Sequence, residues 1–333
     1  MSDAGHDKRR PAPMVWLGQS ARTTIVTRLY PELAGERWLA SLGDAVHRPR
    51  MAQTVFRHAL RERLNVTGPI MLDSGGFTMM SRASDMGVEE VLAVYRDCSA
   101  DVLISLDHPP LAADSETVRQ SKYWRTLRNY AFLLDHLGSD RLAPVLHGLT
   151  LDEFAANCGL LSRLNPDPAW VCVGGLVPLL RRCGGRGRSA GAARETLTQS
   201  ISLVRASFPA ANLHILGAGA PATIAMAFRS GADSVDSVGW RLAAGFGTIF
   251  LPGGSERFVG ERERKRASSR PHLGEDDLQS IARCECPACI RAGPLHGRLE
   301  CLSDSYLARA AHNAHILLGE ARGFARRSGS EIR

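Results

Sequence analysis

Short apolar runs that stop on a polar or glycine junction, separated by helical stretches, constrain this chain more than any other feature. The clearest is Pro69-Ile70-Met71-Leu72-Asp73-Ser74-Gly75-Gly76-Phe77, where a run too short for a helix ends on a carboxylate and two glycines. A strand buried on both faces reads this way, and its last residue reaches the mouth of a parallel α/β sheet. The glycines let the backbone turn sharply and leave room for a flat ligand. Residues 101–106 end on Asp107-His108-Pro109-Pro110, residues 142–146 on His147-Gly148, and residues 170–173 on Gly174-Gly175. Residues 212–216 end on Gly217-Ala218-Gly219, and residues 232–235 on Asp236. Helical spacing fills the intervals at 87–98, 115–137, 151–164, 195–208 and 221–229. This alternation predicts right-handed βαβ units and a parallel sheet. Polar residues follow nearly every strand instead of gathering at one switch point. That favours a closed (β/α)8 TIM barrel, class α/β, over an open doubly wound sheet.

Upstream of Pro69 the pattern is less regular. Residues 21–29 have β-branched character and are expected to form an N-terminal strand or hairpin. Residues 36–64 look largely helical, with an interruption at Pro49. A chain of 333 residues accommodates one barrel of about 250 residues and a small appendage. The expected division is a disordered tail over 1–13, a barrel over 14–260, a zinc-binding subdomain over 261–325 and a tail over 326–333. Hydrophobic residues make up 44% of the chain, yet no apolar run approaches the ~20 residues that span a bilayer. The polar N-terminus lacks the apolar stretch of a signal peptide, so a cytoplasmic protein without membrane attachment is expected.

The net charge of +7 suits a polyanionic partner. Two basic runs carry much of it, one holding Arg181, Arg182 and Arg186, the other Arg262, Arg264, Lys265 and Arg266. Both follow expected strand ends and are candidate phosphate contacts for a nucleic acid.

Three of eight cysteines, Cys284, Cys286 and Cys289, fall within six residues. In a chain without a secretion signal this clustering reads as a metal site and not as a disulfide scaffold. Three thiolates wrap one tetrahedral zinc if a fourth ligand closes the site. His312 is the preferred fourth ligand, with His315, His296 and Cys301 as competitors. Four protein ligands leave no open position, so the zinc is expected to be structural. Cys98, Cys158 and Cys172 sit in apolar stretches and read as core residues.

Taken together and in order, these segments resemble the tRNA-guanine transglycosylase superfamily, a (β/α)8 barrel with a C-terminal zinc-binding subdomain. The matching motifs are Asp73-Ser74-Gly75-Gly76-Phe77, Leu106-Asp107-His108-Pro109, Leu146-His147-Gly148, Val173-Gly174-Gly175-Leu176-Val177-Pro178 and Leu216-Gly217-Ala218-Gly219. Residues 232–237 and the cysteine cluster with His312-Asn313 follow. The resemblance implies exchange of a guanine in a polynucleotide for a 7-deazaguanine without strand breakage. It implies that Asp236 is the nucleophile at C1′ and that Asp73 is the general acid/base. Asp107 would accept hydrogen bonds from the base, and His147, Gly148, Gly174, Gly175 and Leu176 would hold its other polar edge. Ser74, Gly75 and Phe77 would complete the base site.

The sequence also departs from the family pattern. Thr78 stands where Gln is usual, and Asp236-Ser237-Val238-Gly239-Trp240-Arg241 replaces the corresponding run of the bacterial tRNA enzymes. Asp107-His108-Pro109 and Gly175-Leu176-Val177-Pro178 are similar to the archaeosine branch, which takes 7-cyano-7-deazaguanine. The combination is closest to the branch that inserts 7-deazaguanines into DNA, with tRNA as the alternative substrate. A catalytically silent nucleic-acid-binding subunit is the alternative from another class. A homodimer or a partner protein is compatible with either.

Overall fold

The computed structural model describes residues 12–81, 86–176, 179, 188–260 and 270–330. The expected phosphate contacts Arg181, Arg182, Arg186, Arg262, Arg264, Lys265 and Arg266 lie outside the described residues. Nine strand segments form one parallel sheet: β1 (Met14–Gly18), β2 (Trp38–Ser41), β3 (Ile70–Asp73), β4 (Val102–Ile104), β5 (Leu142–Ala143), β6 (Val145–Leu146), β7 (Trp170–Val173), β8 (Asn212–Ile215) and β9 (Ser234–Ser237). Their order is β5-β4-β3-β2-β1-β9-β8-β7-β6. Between β5 and β6 lies Pro144, which has no N–H to give a ladder, so the two segments are halves of one stave. Counted so, eight staves close on themselves, since β5 pairs with β4 and β6 with β7. The first and last staves also pair, from Met14↔Ser234 to Leu17↔Ser237. The expected (β/α)8 barrel is the observed fold.

Alternation along each strand sorts the core into two layers. Trp16, Leu39, Met71, Val102, Ile104, Ala143, Val145 and Cys172 fill the barrel, where Trp16 meets Trp170 edge-on at 6.2 Å. Their strand neighbours, among them Leu17, Trp38, Ile70, Leu72, Leu103 and Leu146, join the larger cluster between sheet and helices.

Two upstream expectations are corrected. Residues 21–29 form no strand; they leave β1 and make a 3₁₀ turn at Val26–Arg28. Their β-branched side chains plug the loop: Ile25 and Val26 are buried, and Thr27 Oγ1 donates 2.7 Å to Leu64 O. Residues 36–64 begin with β2, not a helix. Trp38 and Ala40 pack outward while Leu39 points inward, so a period of two between two neighbouring strands prevails over helical propensity.

Beyond β9 come a helix at Gly239–Gly245 and an antiparallel hairpin of β10 (Thr248–Leu251) and β11 (Ser255–Phe258). Helices Glu275–Ala282, Pro287–Ala292 and Leu295–Asp304 lead to the long helix Tyr306–Ser330. Buried Ala308, Ala310, Ala311 and Ala314 let that helix lie close against the hairpin, the Gly239–Gly245 helix and β1. Among the described residues no helix is long and apolar enough to cross a membrane.

Candidate active site

Three carboxylates converge at the C-terminal mouth of the barrel because three staves each end on, or just beside, an aspartate. Asp73 closes β3, Asp107 follows β4, and Asp236 lies within β9. They wall one cavity of about 460 Å³, together with Phe77, Gly175, Leu216 and Gly217. Leu39, Met80, Pro109, Pro110 and Leu111 give it apolar sides. Depressions of similar volume open beside Arg28 and beside His47, but buried carboxylates from separate strands do not converge in either.

Each carboxylate is held differently. Asp73 Oδ2 accepts 2.7 Å from Ser41 Oγ and 3.1 Å from the Gly75 N–H. Gly75 has φ +86°, a left-handed conformation that glycine adopts without penalty. A Cβ on Gly76 would overlap the Asp107 carboxylate, so the second glycine is required by close approach. Asp73 keeps part of its surface open to the cavity although it lies deep in the mouth. Burial there raises its pKa to about 6; the Ser41 hydrogen bond opposes the rise and the Asp236 charge adds to it. Burial raises Asp107 to about 8, with the Asp73 charge adding and the Ser74 hydroxyl, 3.3 Å from Oδ1, opposing. Asp236 Oδ1 accepts from the Gly217 N–H at 2.6 Å.

Several expected base-site residues stand behind this wall and do not form its surface. Ser74 is fully buried beneath Asp107, and Gly75 supports Asp73. Gly148 packs on Phe154, Gly174 on Val145 and Leu216, and Leu176 is in the core. His147 is buried with Nε2 3.1 Å from Asp107 Oδ2, without hydrogen-bond alignment. Burial holds this imidazole down at about 3, so it faces Asp107 as a neutral ring. Both groups are pushed toward their uncharged forms because desolvation outweighs a poorly aligned contact.

Sequence reasoning passed over His214. It lies on β8, fully buried inside the ring, with Nδ1 2.8 Å from Ser234 Oγ and Nε2 3.4 Å from Asp236 Oδ1. The signal was a polar residue in the middle of an apolar strand. Such a histidine within an otherwise apolar stave needs polar company, and here that company is Asp236 and Ser234.

The cysteine cluster lies where the Pro287–Ala292 helix packs against the long helix Tyr306–Ser330. Cys284, Cys286, Cys289 and His312 are all buried, and their ligand atoms lie within 4.8 Å of one another. His312 Nδ1 is 3.4, 3.6 and 3.7 Å from the sulfurs of Cys284, Cys286 and Cys289. Hydrogen bonds among the thiols hold Cys284 well below the usual thiol range and push Cys289 well above it. The other imidazole nitrogen, Nε2, is 2.9 Å from Phe250 O, which fixes the ring so that Nδ1 faces the sulfurs. Of the competing fourth ligands, His315, His296 and Cys301 are outside this group, which could hold one metal ion. The cluster is tied back to the cavity. Asn313 Nδ2 donates 3.0 Å to Trp240 O, and Trp240 Nε1 donates 3.0 Å to the carbonyl of Ser237, next to Asp236.

The chain is 25% identical over 329 residues to a protein of Haloferax volcanii named tRNA-guanine(15) transglycosylase, covering 96% of this chain and 57% of that protein. Proteins of the same name from Methanothermobacter thermautotrophicus (24% over 277 residues) and Archaeoglobus fulgidus (26% over 277 residues) match 82% and 81% of the chain. Coverage of those two relatives is 38% and 51%, so the chain spans about half the length of the relatives it matches. Residues 41–324 match the family described as Queuine tRNA-ribosyltransferase, and the chain belongs to that family.

Proposed function

We propose that this protein is a pentosyltransferase that exchanges a guanine in a nucleic acid for a 7-deazaguanine through a covalent Asp236–sugar intermediate. The observation that carries the reading is the convergence of Asp73, Asp107 and Asp236 on one cavity. The Gly217 N–H engages Oδ1 of Asp236, which leaves Oδ2 for attack on C1′. In the first displacement the C1′–N9 bond breaks, a C1′–O bond to Asp236 forms, and Asp73 gives its proton to the departing guanine. In the second, the incoming base loses its N9 proton to Asp73, its nitrogen attacks C1′, and Asp236 leaves. A pKa near 6 suits a group that must both give and take a proton. Asp107 accepts from the N1–H and exocyclic amine of the base, a donor pair that compensates a buried carboxylate.

The relatives' names concern tRNA, and this favours tRNA over the DNA substrate expected from the motif combination. DNA is the second reading, supported by the departure of residues 236–241 from the bacterial tRNA enzymes. We further propose that the Cys284, Cys286, Cys289 and His312 group holds a structural zinc. Zn–S near 2.3 Å and Zn–N near 2.05 Å at a tetrahedral angle require S···N separations of about 3.5 Å, and the observed values bracket this.

Incubation with radiolabelled guanine and either bulk tRNA or duplex DNA tests the reading. Label should enter one polynucleotide, and denaturing electrophoresis should trap a protein–nucleic acid adduct. Asp236→Asn should abolish both, because an amide cannot supply the attacking oxygen. An adduct retained in Asp236→Asn would remove Asp236 from the nucleophile's role.

A further inference from the structure

The loops that leave β1 and β9 meet beside Asp236 and carry features that base exchange does not use. The ends of the two strands touch, Gly18 lying directly against Val238. Arg241 then staples the loops together: Nη2 donates 2.6 Å to Thr23 Oγ1 and Nε donates 3.1 Å to the Tyr306 hydroxyl. The joined surface presents Val238, Leu242 and Phe246, four residues apart on one helical face and 51%, 57% and 61% exposed. Past Thr23 it opens into a depression of about 500 Å³ lined by Arg22, Arg28 and Arg63 with Ile25, Leu29 and Leu307. Among the described residues no acidic side chain lines it. Arg63 Nε is committed to Ala21 O at 2.6 Å. The side chains of Arg22 and Arg28 are exposed, and neither has an ion-pair or hydrogen-bond partner among the described residues.

An exposed apolar row by itself would suit many partners. Here it begins two residues past Asp236 and is joined through Arg241 and Thr23 to guanidinium groups without a carboxylate partner among the described residues, and that combination fits a polyanion with flat faces between its charges. A guanine can enter the cavity only after leaving its stack, and its neighbours then present unstacked faces to whatever rims the mouth. We propose that this surface is the track for the polynucleotide next to the exchanged nucleotide, with Arg22 and Arg28 on phosphates and Leu242 and Phe246 against bases. The inference rests on the base-exchange reading above and assigns the substrate's path across the same site.

The test uses the full chain, with fluorescently labelled bulk tRNA and duplex DNA as probes, and binding measured across a salt series. Arg22→Ala combined with Arg28→Ala should weaken binding about tenfold or more at low salt and reduce the log–log salt slope by roughly two units. Phe246→Ala should weaken binding by roughly 5- to 150-fold, the range of one lost stacking contact, while leaving the slope unchanged. Guanine exchange at saturating polynucleotide should stay within about twofold in both variants, since neither touches the reacting atoms. All three side chains are exposed, so thermal melts should match the parent protein. An unchanged slope with both probes would overturn the proposal. So would a lowered sedimentation mass in Phe246→Ala with intact polynucleotide affinity, which would make the row an interface between proteins. Failure of the base-exchange reading has a different signature: the parent protein would incorporate no guanine yet bind with a salt slope that these variants reduce.

Discussion

The carboxylate cavity and the cysteine–histidine cluster both bury polar groups at element ends, yet they treat them in opposite ways. In the cluster every ligand atom faces the others, and the spare imidazole nitrogen is met by Phe250 O. Around the cavity, Asp73 and Asp107 are pushed toward their neutral forms, and behind its wall the ring nitrogens of His147 and Nε2 of His214 lack aligned partners. A closed polar group contributes to the fold. An unsatisfied one costs folding free energy and recovers it when a ligand supplies the missing donors. The contrast therefore separates a region that holds the molecule together from one that is prepared for a substrate.

The comparison can be broken most easily at the cluster. Cys286→Ser or Cys289→Ser should yield insoluble or metal-free, unfolded protein, because a structural zinc contributes on the order of 10 kcal/mol to folding. Metal analysis with chemical denaturation checks this; a soluble, metal-free variant with an unchanged midpoint would show that the cluster is not structural. Asp73→Asn should lower guanine exchange by about 10²–10⁴-fold while still allowing slow adduct formation. The parent protein needs this acid protonated for the first step, so its kcat/KM should fall as pH rises through about 6. That limb should be absent from the Asp73→Asn profile, and its persistence would assign the titration to another group.

The smallest effect is the most diagnostic of an unsatisfied site. Burial raises the pKa of Asp107 in the fold to about 8 from its ordinary value of 3.8. Its neutral form is favoured in the fold, so stability is fully present below pH ~4 and declines as pH rises toward ~8. Asp107→Asn removes that decline. The ligand-free variant should be more stable than the parent by roughly 2–5 kcal/mol at pH 9, should match it near pH 4, and should lose guanine binding. Equal melting temperatures at pH 9 would show that burial of Asp107 is not a cost.

The sequence made the downstream staves legible because each apolar run there ends abruptly on Asp73, Asp107, His147, Gly174 or Gly217. Two upstream staves were hidden for local reasons. Met14–Gly18 adjoins a proline-containing polar tail, and the β-branched residues of 21–29 drew attention from it. Trp38–Ser41 is short and embedded in residues with ordinary helical composition, so only its partners on both sides define it. Asp236 and the group of Cys284, Cys286, Cys289 and His312 were readable from spacing and family resemblance. His214 was not, since what marks it is the carboxylate across the ring, a contact between strands that local pattern cannot encode. Arg22 and Arg28 were passed over because single arginines in a loop look solvated until the loop is placed beside Asp236.

Closure of the ring by its first and last staves also dictates an order of events during synthesis. Met14 pairs with Ser234, 220 positions later (234 − 14), so β1 leaves the ribosome long before the strand that completes its ladder. At about 5–20 residues per second that interval lasts roughly 10–45 s. Throughout it one edge of β1, Trp16 and Leu17 included, has no native neighbour, and open strand edges invite pairing with other chains. Asp236 is delivered by the very strand that ends this exposure. Asp236 is thus among the last parts of the barrel to be made, and the half-built ring lacks the cavity that the three aspartates wall.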